Sequence, residues 1–282
     1  MMRNQGVNYF KFDGMGGSGG KVDGAAGRED DIDAVLGLTR SLRRKKSDVF
    51  ISATVGTWAS PFWTLYADSI WRQGHDTSMS GKGDTRQQWI NYRDKTCYER
   101  VVQMGPLYPL NSLMLHGVVI GNRKGRSPSR FAFNEKSVAD EIWTFFGSGT
   151  CLQEMYISPN VMTDKMTDEL ASAAKWARAN ADVLVDTHWI GGDPAKEEVY
   201  GWASWRPGKG ILVLRNPSDK TQQFSITPKD ALQLPEGVKG KMMLSAVHPP
   251  LELKSAAKAI TQPITWTLKP FEVIVLELKK WK

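Results

Sequence analysis

The 282 residues carry 37 Lys and Arg against 30 Asp and Glu, a formal charge of +7, and 41% are hydrophobic. That is enough apolar material for one large folded domain or two moderate ones, and neither a run of 18 apolar residues nor an apolar leader signals a membrane span or a targeting segment. The basic excess is diffuse, with 14 basic and 10 acidic residues from Val183 onward against 23 and 20 before it, which argues against a nucleic-acid footprint. Cys97 and Cys151 show neither metal-ligand spacing nor a disulfide framework.

Residues 7–13, Val-Asn-Tyr-Phe-Lys-Phe-Asp, have the composition of a buried strand. Side chains alternate with period two, so Tyr9, Lys11 and Asp13 share one face while Phe10 and Phe12 share the other. A strand that closes on a carboxylate and runs into glycines fits the top of an α/β barrel, where functional acids sit at carboxyl strand ends. Gly14, Gly16 and Gly19 satisfy G-x-G-x-x-G, yet no helix opens at the third glycine and the next strand ends Ser52-Ala53-Thr54 without an acid. Neither a dinucleotide site nor a phosphate loop is indicated.

Asp30 and Asp31 cap a helix in which Ile32, Val35, Leu36, Thr39 and Leu42 recur at helical spacing, and Arg43-Arg44-Lys45-Lys46 complements its dipole at the far end. A second buried strand at 49–52 leads into an aromatic-rich stretch at 56–63 that contains Trp58. Such rings stack on the apolar faces of pyranoses, and they also pack in cores. The segment 66–76 is crowded with polar groups. Its Arg72 can form bidentate hydrogen bonds, and Asp76 follows after a permissive Gly74.

Two of these segments together carry a resemblance. Phe10-Lys11-Phe12-Asp13 resembles the Lys-Tyr-Asp-Asn strand end of retaining α-galactosidases and α-N-acetylgalactosaminidases, and Ser69-Ile70-Trp71-Arg72-Gln73-Gly74-His75-Asp76 resembles their Ser-Trp-Arg-x-x-x-Asp segment. The resemblance implies Asp13 as nucleophile and Asp76 as general acid/base, with Lys11, Trp58 and Arg72 contacting the sugar. Leu113-Met114-Leu115 looks like the family's next strand, but the acidic Asp-Pro-Asp is here Asn111-Ser112-Leu113, a departure that bears on galactose specificity. The likeness is strongest to the divergent melibiase group and extends over nearly the whole chain.

Further along, helices are predicted at 84–104, 137–146 and 163–180, a basic loop at 122–130, and a short strand at 155–158. From Val183 the period changes to two, with strands predicted at 183–185, 200–205, 210–214, 222–226, 242–247, 263–268 and 273–278. Short strands parted by Gly, Pro, Asn and Asp predict an antiparallel sandwich, which resembles the all-β domain of the same family. The Trp202 and Trp205 pair suits either its core or a carbohydrate-binding module.

The expected fold is therefore α/β plus all-β. Residues 1–182 form a partial (β/α)8 barrel, about strands four to eight, and residues 183–282 form a β-sandwich. A complete barrel needs about 250 residues, so the first half would come from elsewhere: from a longer parent chain, which could be secreted or periplasmic, or from self-association. The expected activity is that of an α-galactosidase-like retaining glycoside hydrolase acting on an oligosaccharide or glycoconjugate with a terminal α-linked sugar, with no metal or organic cofactor and no nucleic-acid or membrane partner. In that chemistry Asp13 must be ionised to attack and Asp76 must donate and then accept a proton. Expressed alone, the 282 residues are expected to turn over little. The rivals are an α-glycosyltransferase on the same site and a non-catalytic carbohydrate-binding remnant.

Overall fold

The structure is a computed structural model that describes residues 5–13, 29–54, 61–104, 109–121, 131–250 and 257–280. The glycine-rich loop at 14–27, Trp58 and the basic loop at 122–130 lie outside the described residues.

Five strands make one all-parallel sheet in sequence order: β1 (Tyr9–Phe12), β2 (Phe50–Ala53), β3 (Ser69–Trp71), β4 (Leu113–Ile120) and β5 (Leu152–Ile157). Helix α1 (Glu29–Lys45) connects β1 to β2, α2 (Thr85–Cys97) connects β3 to β4, α3 (Glu135–Gly147) connects β4 to β5, and α4 (Asp164–Ala179) follows β5. This order of parallel strands and crossover helices forms a curled half-barrel; a closed barrel is not formed by these five strands.

Local chemistry explains where the helices begin. Asp84 accepts from the Arg86 and Gln87 amides at 2.9 Å each, Asn134 accepts from Ser137, and Thr163 accepts from Met166. Each satisfies a donor that the first helical turn leaves unpaired. The predicted helix at 84–104 divides into α2 and a π-helical segment, Tyr98–Val102. On α1, Ile32, Leu36 and Thr39 are buried as their spacing predicts, and the basic last turn is present.

The first strand is less covered than its composition predicts. Tyr9 is exposed, and Phe10, Lys11 and Phe12 are half-buried. The reason is its place at the outer edge of the sheet, where one side has no neighbouring strand among the described residues. Its alternation holds: Phe10 and Phe12 pack outward on Val49, Ile51, Ala53, Ala67 and Leu42, while Lys11 points inward.

Beyond α4, residues 183–185 are not a strand. Ala181–Leu184 is a short helix, α5, whose Val183 and Leu184 amides bond to the Asn180 carbonyl at 2.9 Å each. A three-residue apolar run reads the same in a strand and in a buried turn of helix, and here burial of Val183 and Leu184 against the neighbouring sheet decides. The six-stranded antiparallel sheet opens instead with β6 (His188–Gly191), followed by β7 (Tyr200–Arg206), β8 (Lys209–Arg215), β10 (Lys241–His248), β11 (Lys258–Ala259) and β13 (Val273–Lys280). Strands β9 (Gln222–Ile226) and β12 (Ile264–Leu268) pair with each other. Their Phe224, Ile226 and Trp266 pack on the face of the large sheet that carries Leu212, Leu214 and Leu276. The opposite face, with Tyr200, Trp202, Val213 and Val275, joins one apolar core with α3 and the outward-facing Ile70, Leu113 and Leu115 of the parallel sheet.

No helix among the described residues is long and apolar enough to cross a membrane. Cys97 and Cys151 are free, and burial pushes both thiols up to about 12.

Candidate active site

The concave face of the parallel sheet is polar. Lys11 stands beside Ser52, Ser52 beside Ser69, and His116 directly beside Glu154 in the strand registers. Period-two alternation then puts Tyr9, Lys11, Trp71, His116, Glu154 and Tyr156 on that face. Lys11 Nζ donates to Glu154 Oε1 at 2.7 Å, and the second oxygen, Oε2, lies 2.8 Å from His116 Nε2. The His116 ring packs 4.4 Å from Trp71 and 5.5 Å, edge to face, from Tyr156. The imidazole of His116 and then the ammonium of Lys11 hold the Glu154 carboxyl down at about 2, against the opposing effect of its partial burial.

The loop after β3 is held by Arg72. Gln73 and Gly74 both have positive φ, 69° and 83°, so the chain reverses sharply. The guanidinium is buried and donates to the Gln73 carbonyl at 2.6 Å, the His75 carbonyl at 3.0 Å and the Asp76 carbonyl at 3.4 Å. It also stacks 4.4 Å from Trp71, with the Trp89 and Tyr92 rings beyond, and Tyr92 accepts from the His75 amide at 2.8 Å. Desolvation lowers Arg72 to about 10, which leaves it a cation at neutral pH. The outcome is an Asp76 side chain presented to solvent, 86% exposed, from a loop whose backbone is fastened.

Asp13 follows the carboxyl end of β1 and Asp76 follows the carboxyl end of β3, and the two strands run parallel. Both carboxylates therefore lie at one rim of the half-barrel. Tyr156 on β5 senses both: burial and then Glu154 raise its hydroxyl, and Asp76 and Asp13 add to the shift in the same direction. His116 Nδ1 lies 3.2 Å from the Asp76 carbonyl oxygen and 4.0 Å from its Oδ1.

Of the residues singled out in the sequence, Lys11, Asp13 and Asp76 are thus on the same rim or face, Arg72 is buried behind the Asp76 loop with its donors on that loop's carbonyls, and Trp58 is outside the described residues. The Asn111-Ser112-Leu113 departure lies at the amino end of β4, with Asn111 Nδ2 donating to the Gly149 carbonyl at 2.7 Å. That is the end of the strand remote from Asp13 and Asp76. Sequence reasoning missed His116, Glu154 and Tyr156. The signal available was a weak one, Glu154 and Tyr156 two residues apart in a short strand whose outward face also carries the polar Gln153. Among the described residues no group of three His, Cys, Asp or Glu is placed to hold a metal ion.

Comparison with known proteins gives a match in fold alone. No family model matches the chain, and no curated protein sequence matches it. Among solved structures, an α-N-acetylgalactosaminidase-type protein of Bacillus halodurans superposes with a TM-score of 0.60 at 16% identity, covering 98% of this chain and 59% of its own. An α-galactosidase/melibiase-type protein of Bacteroides fragilis gives 0.64 at 16% identity, covering 97% and 55%. An α-amylase of Geobacillus thermoleovorans gives 0.59 at 13% identity, covering 100% and 62%. The chain thus spans little more than half the length of the first two. The amylase shows that the architecture is shared by glycosidases of more than one specificity. With α-galactosidases of Mortierella vinacea and Saccharomyces cerevisiae also matching at 11% and 10% identity, the chain has the fold of part of α-galactosidase-like glycoside hydrolases.

Proposed function

We propose that residues 1–182 form part of the catalytic barrel of a retaining α-glycoside hydrolase, α-galactosidase-like in specificity, and that residues 183–282 form a β-sandwich domain without catalytic residues. One observation carries the reading: Asp13 and Asp76 follow the carboxyl ends of parallel strands, and both act on the same Tyr156 hydroxyl. In a barrel completed by further strands, Asp13 attacks the anomeric carbon while Asp76 protonates the departing glycosidic oxygen. A covalent glycosyl-Asp13 ester results. Asp76, now a carboxylate, takes a proton from water, and the water oxygen displaces Asp13 to release the sugar with its α configuration retained. Lys11 stands on the same strand face as Asp13, Trp58 stacks on the sugar ring, and Arg72 serves the substrate by holding the Asp76 loop.

Covalent trapping tests this. The natural gene product, expressed from its own locus, is incubated with a 5-fluoro-α-galactosyl fluoride and digested for mass spectrometry. The adduct is expected on the peptide containing Asp13 and should vanish in Asp13→Asn. An adduct on another carboxylate, or turnover that survives Asp13→Asn, overturns the assignment. A labelled acceptor in the same reaction separates hydrolysis from glycosyl transfer, and sugar binding without turnover would leave a carbohydrate-binding protein.

A further inference from the structure

We propose that His116, backed by Glu154, is a positioning residue for Asp76, fixing the loop that carries the acid/base. The inference rests on the reading of Asp76 as the proton-transferring group and adds to it two residues that no resemblance supplied. It begins from a mechanical difficulty. A carboxyl that is 86% exposed at the end of a loop with two positive-φ residues needs a rigid support if it is to meet a glycosidic oxygen within a fraction of an ångström. Arg72 fastens the loop backbone from the buried side. On the cavity side the nearest group is His116 Nδ1, 3.2 Å from the Asp76 carbonyl oxygen and 4.0 Å from Oδ1.

His116 has the properties of a support. Its ring is buried, rests on Trp71 at 4.4 Å and on the edge of Tyr156 at 5.5 Å, and grows from the middle of β4 rather than from a loop. Behind it, Glu154 occupies the register position directly opposite on β5 and meets Nε2 at 2.8 Å. Glu154 is itself anchored by Lys11 at 2.7 Å. The groups facing the imidazole are therefore Asp76 from the β3 loop, Trp71 from β3, and Glu154 and Tyr156 from β5, whose hydroxyl is 3.4 Å from Nε2. Each ring nitrogen faces an acceptor oxygen, Glu154 on one side and Asp76 on the other. With an oxygen beside each nitrogen, the ring is held in one orientation from both sides. A ring so held steadies the loop that presents the Asp76 carboxylate.

Two measurements test the proposal in the natural gene product. In the first, histidine ring 15N resonances are recorded for the wild type, Asp76→Asn and Glu154→Gln. Both variants are expected to shift the His116 signals. Ring nitrogens that ignore Asp76→Asn overturn the link, whether or not the protein turns over any glycoside. In the second, kcat/KM is compared for aryl α-galactosides with poor and good leaving groups. His116→Asn should lose about 100-fold with a methoxyphenyl leaving group, in kcat more than in KM, and only a few-fold with dinitrophenyl, which departs without acid assistance. Glu154→Gln should show the same pattern in weaker form. Equal losses on both substrates would mark a merely structural role and overturn the proposal. Should His116→Asn fail to fold, Glu154→Gln and the ring signals decide. If no glycoside is hydrolysed by the wild type, the hydrolase reading falls, and the resonances still report on the His116–Asp76 contact.

Discussion

Lys11 on the first strand of the parallel sheet and Glu154 on the last meet side chain to side chain at 2.7 Å. In a flat sheet of five strands the outer two lie about 19 Å apart, farther than a lysine and a glutamate can bridge. The contact therefore exists because the sheet curls, bringing the inward faces of β1 and β5 over a common cavity. It also fixes what the cavity is lined with: a carboxylate whose charge is kept by its two cationic or proton-bearing neighbours.

That charge predicts a pH dependence. The Glu154 carboxyl titrates near 2 in the folded protein against an ordinary 4.5, so the unfolded chain takes up the proton first as pH falls. The stabilisation is complete above about pH 4.5 and is lost progressively between there and about pH 2. Urea denaturation of the wild type and of Glu154→Gln across this range should show a stability difference that is constant at higher pH and closes in the acid. A difference that widens as pH falls would contradict the assignment.

A second prediction concerns Glu141 on α3. It forms a completely buried ion pair with Arg86, accepts from Trp89 Nε1 at 2.9 Å, and accepts from the Val119 amide at 3.0 Å where β4 is irregular. Glu141→Gln keeps an acceptor for the two neutral donors and strands the arginine charge. The expected loss is about 3–5 kcal/mol in chemical denaturation, because a buried charge deprived of its partner retains its full desolvation cost. A loss below about 1 kcal/mol would show that Arg86 finds water or another acceptor.

The interface between the half-barrel and the antiparallel sheet is polar at its centre. Tyr200 donates to Asp94 at 2.7 Å and accepts from Arg215 at 2.9 Å, while Arg215 also reaches the Gln87 side chain at 3.0 Å. Tyr200→Phe removes one oxygen and leaves two buried partners unmet, at an expected cost of about 1–3 kcal/mol. Because Tyr200, Trp202 and Val213 also belong to the shared apolar core, residues 183–282 expressed alone should unfold at a lower denaturant concentration than the same segment within the chain. Equal midpoints would mean that the proposed boundary separates independent units.

For the 282 residues in isolation we expect self-association. The outer strands of the half-barrel present Tyr9, Met155 and Tyr156 to solvent, and an uncovered strand edge is a template for pairing. Size-exclusion chromatography with light scattering should show oligomers and little turnover of an aryl α-galactoside. A monodisperse, active monomer would contradict both expectations.

What the sequence made legible followed periodicity. The helical face of Ile32, Leu36 and Thr39 and the strands β9 and β12 were readable from one apolar face, and β7, β8 and β13 as short apolar runs between turn residues, with β8 and β13 apolar on both faces. The Val183-Leu184 turn was not, since three apolar residues carry no period, and β6 escaped because His188 and Trp189 interrupt its pattern. Asp13, Arg72 and Asp76 were singled out by motif. His116 and Glu154 were not, because the pair is made by curvature and register, which bring residues 38 apart into contact and which no local pattern encodes.

The Tyr200–Asp94–Arg215 contacts also set an order of assembly. Asp94 waits for a partner 106 residues downstream, and Gln87 for one 128 residues downstream. At ordinary translation speeds that is an interval on the order of ten seconds. Throughout it, a nascent half-barrel would carry α2 with Asp94 held by Arg93 alone, Gln87 by Ser137 and Asp140 alone, and an apolar side with nothing to cover it. The antiparallel sheet therefore acts on the newly made chain as the last piece of its interior, and a ribosome stalled shortly before Arg215 would leave a product fit for chaperones or proteases rather than a smaller working protein.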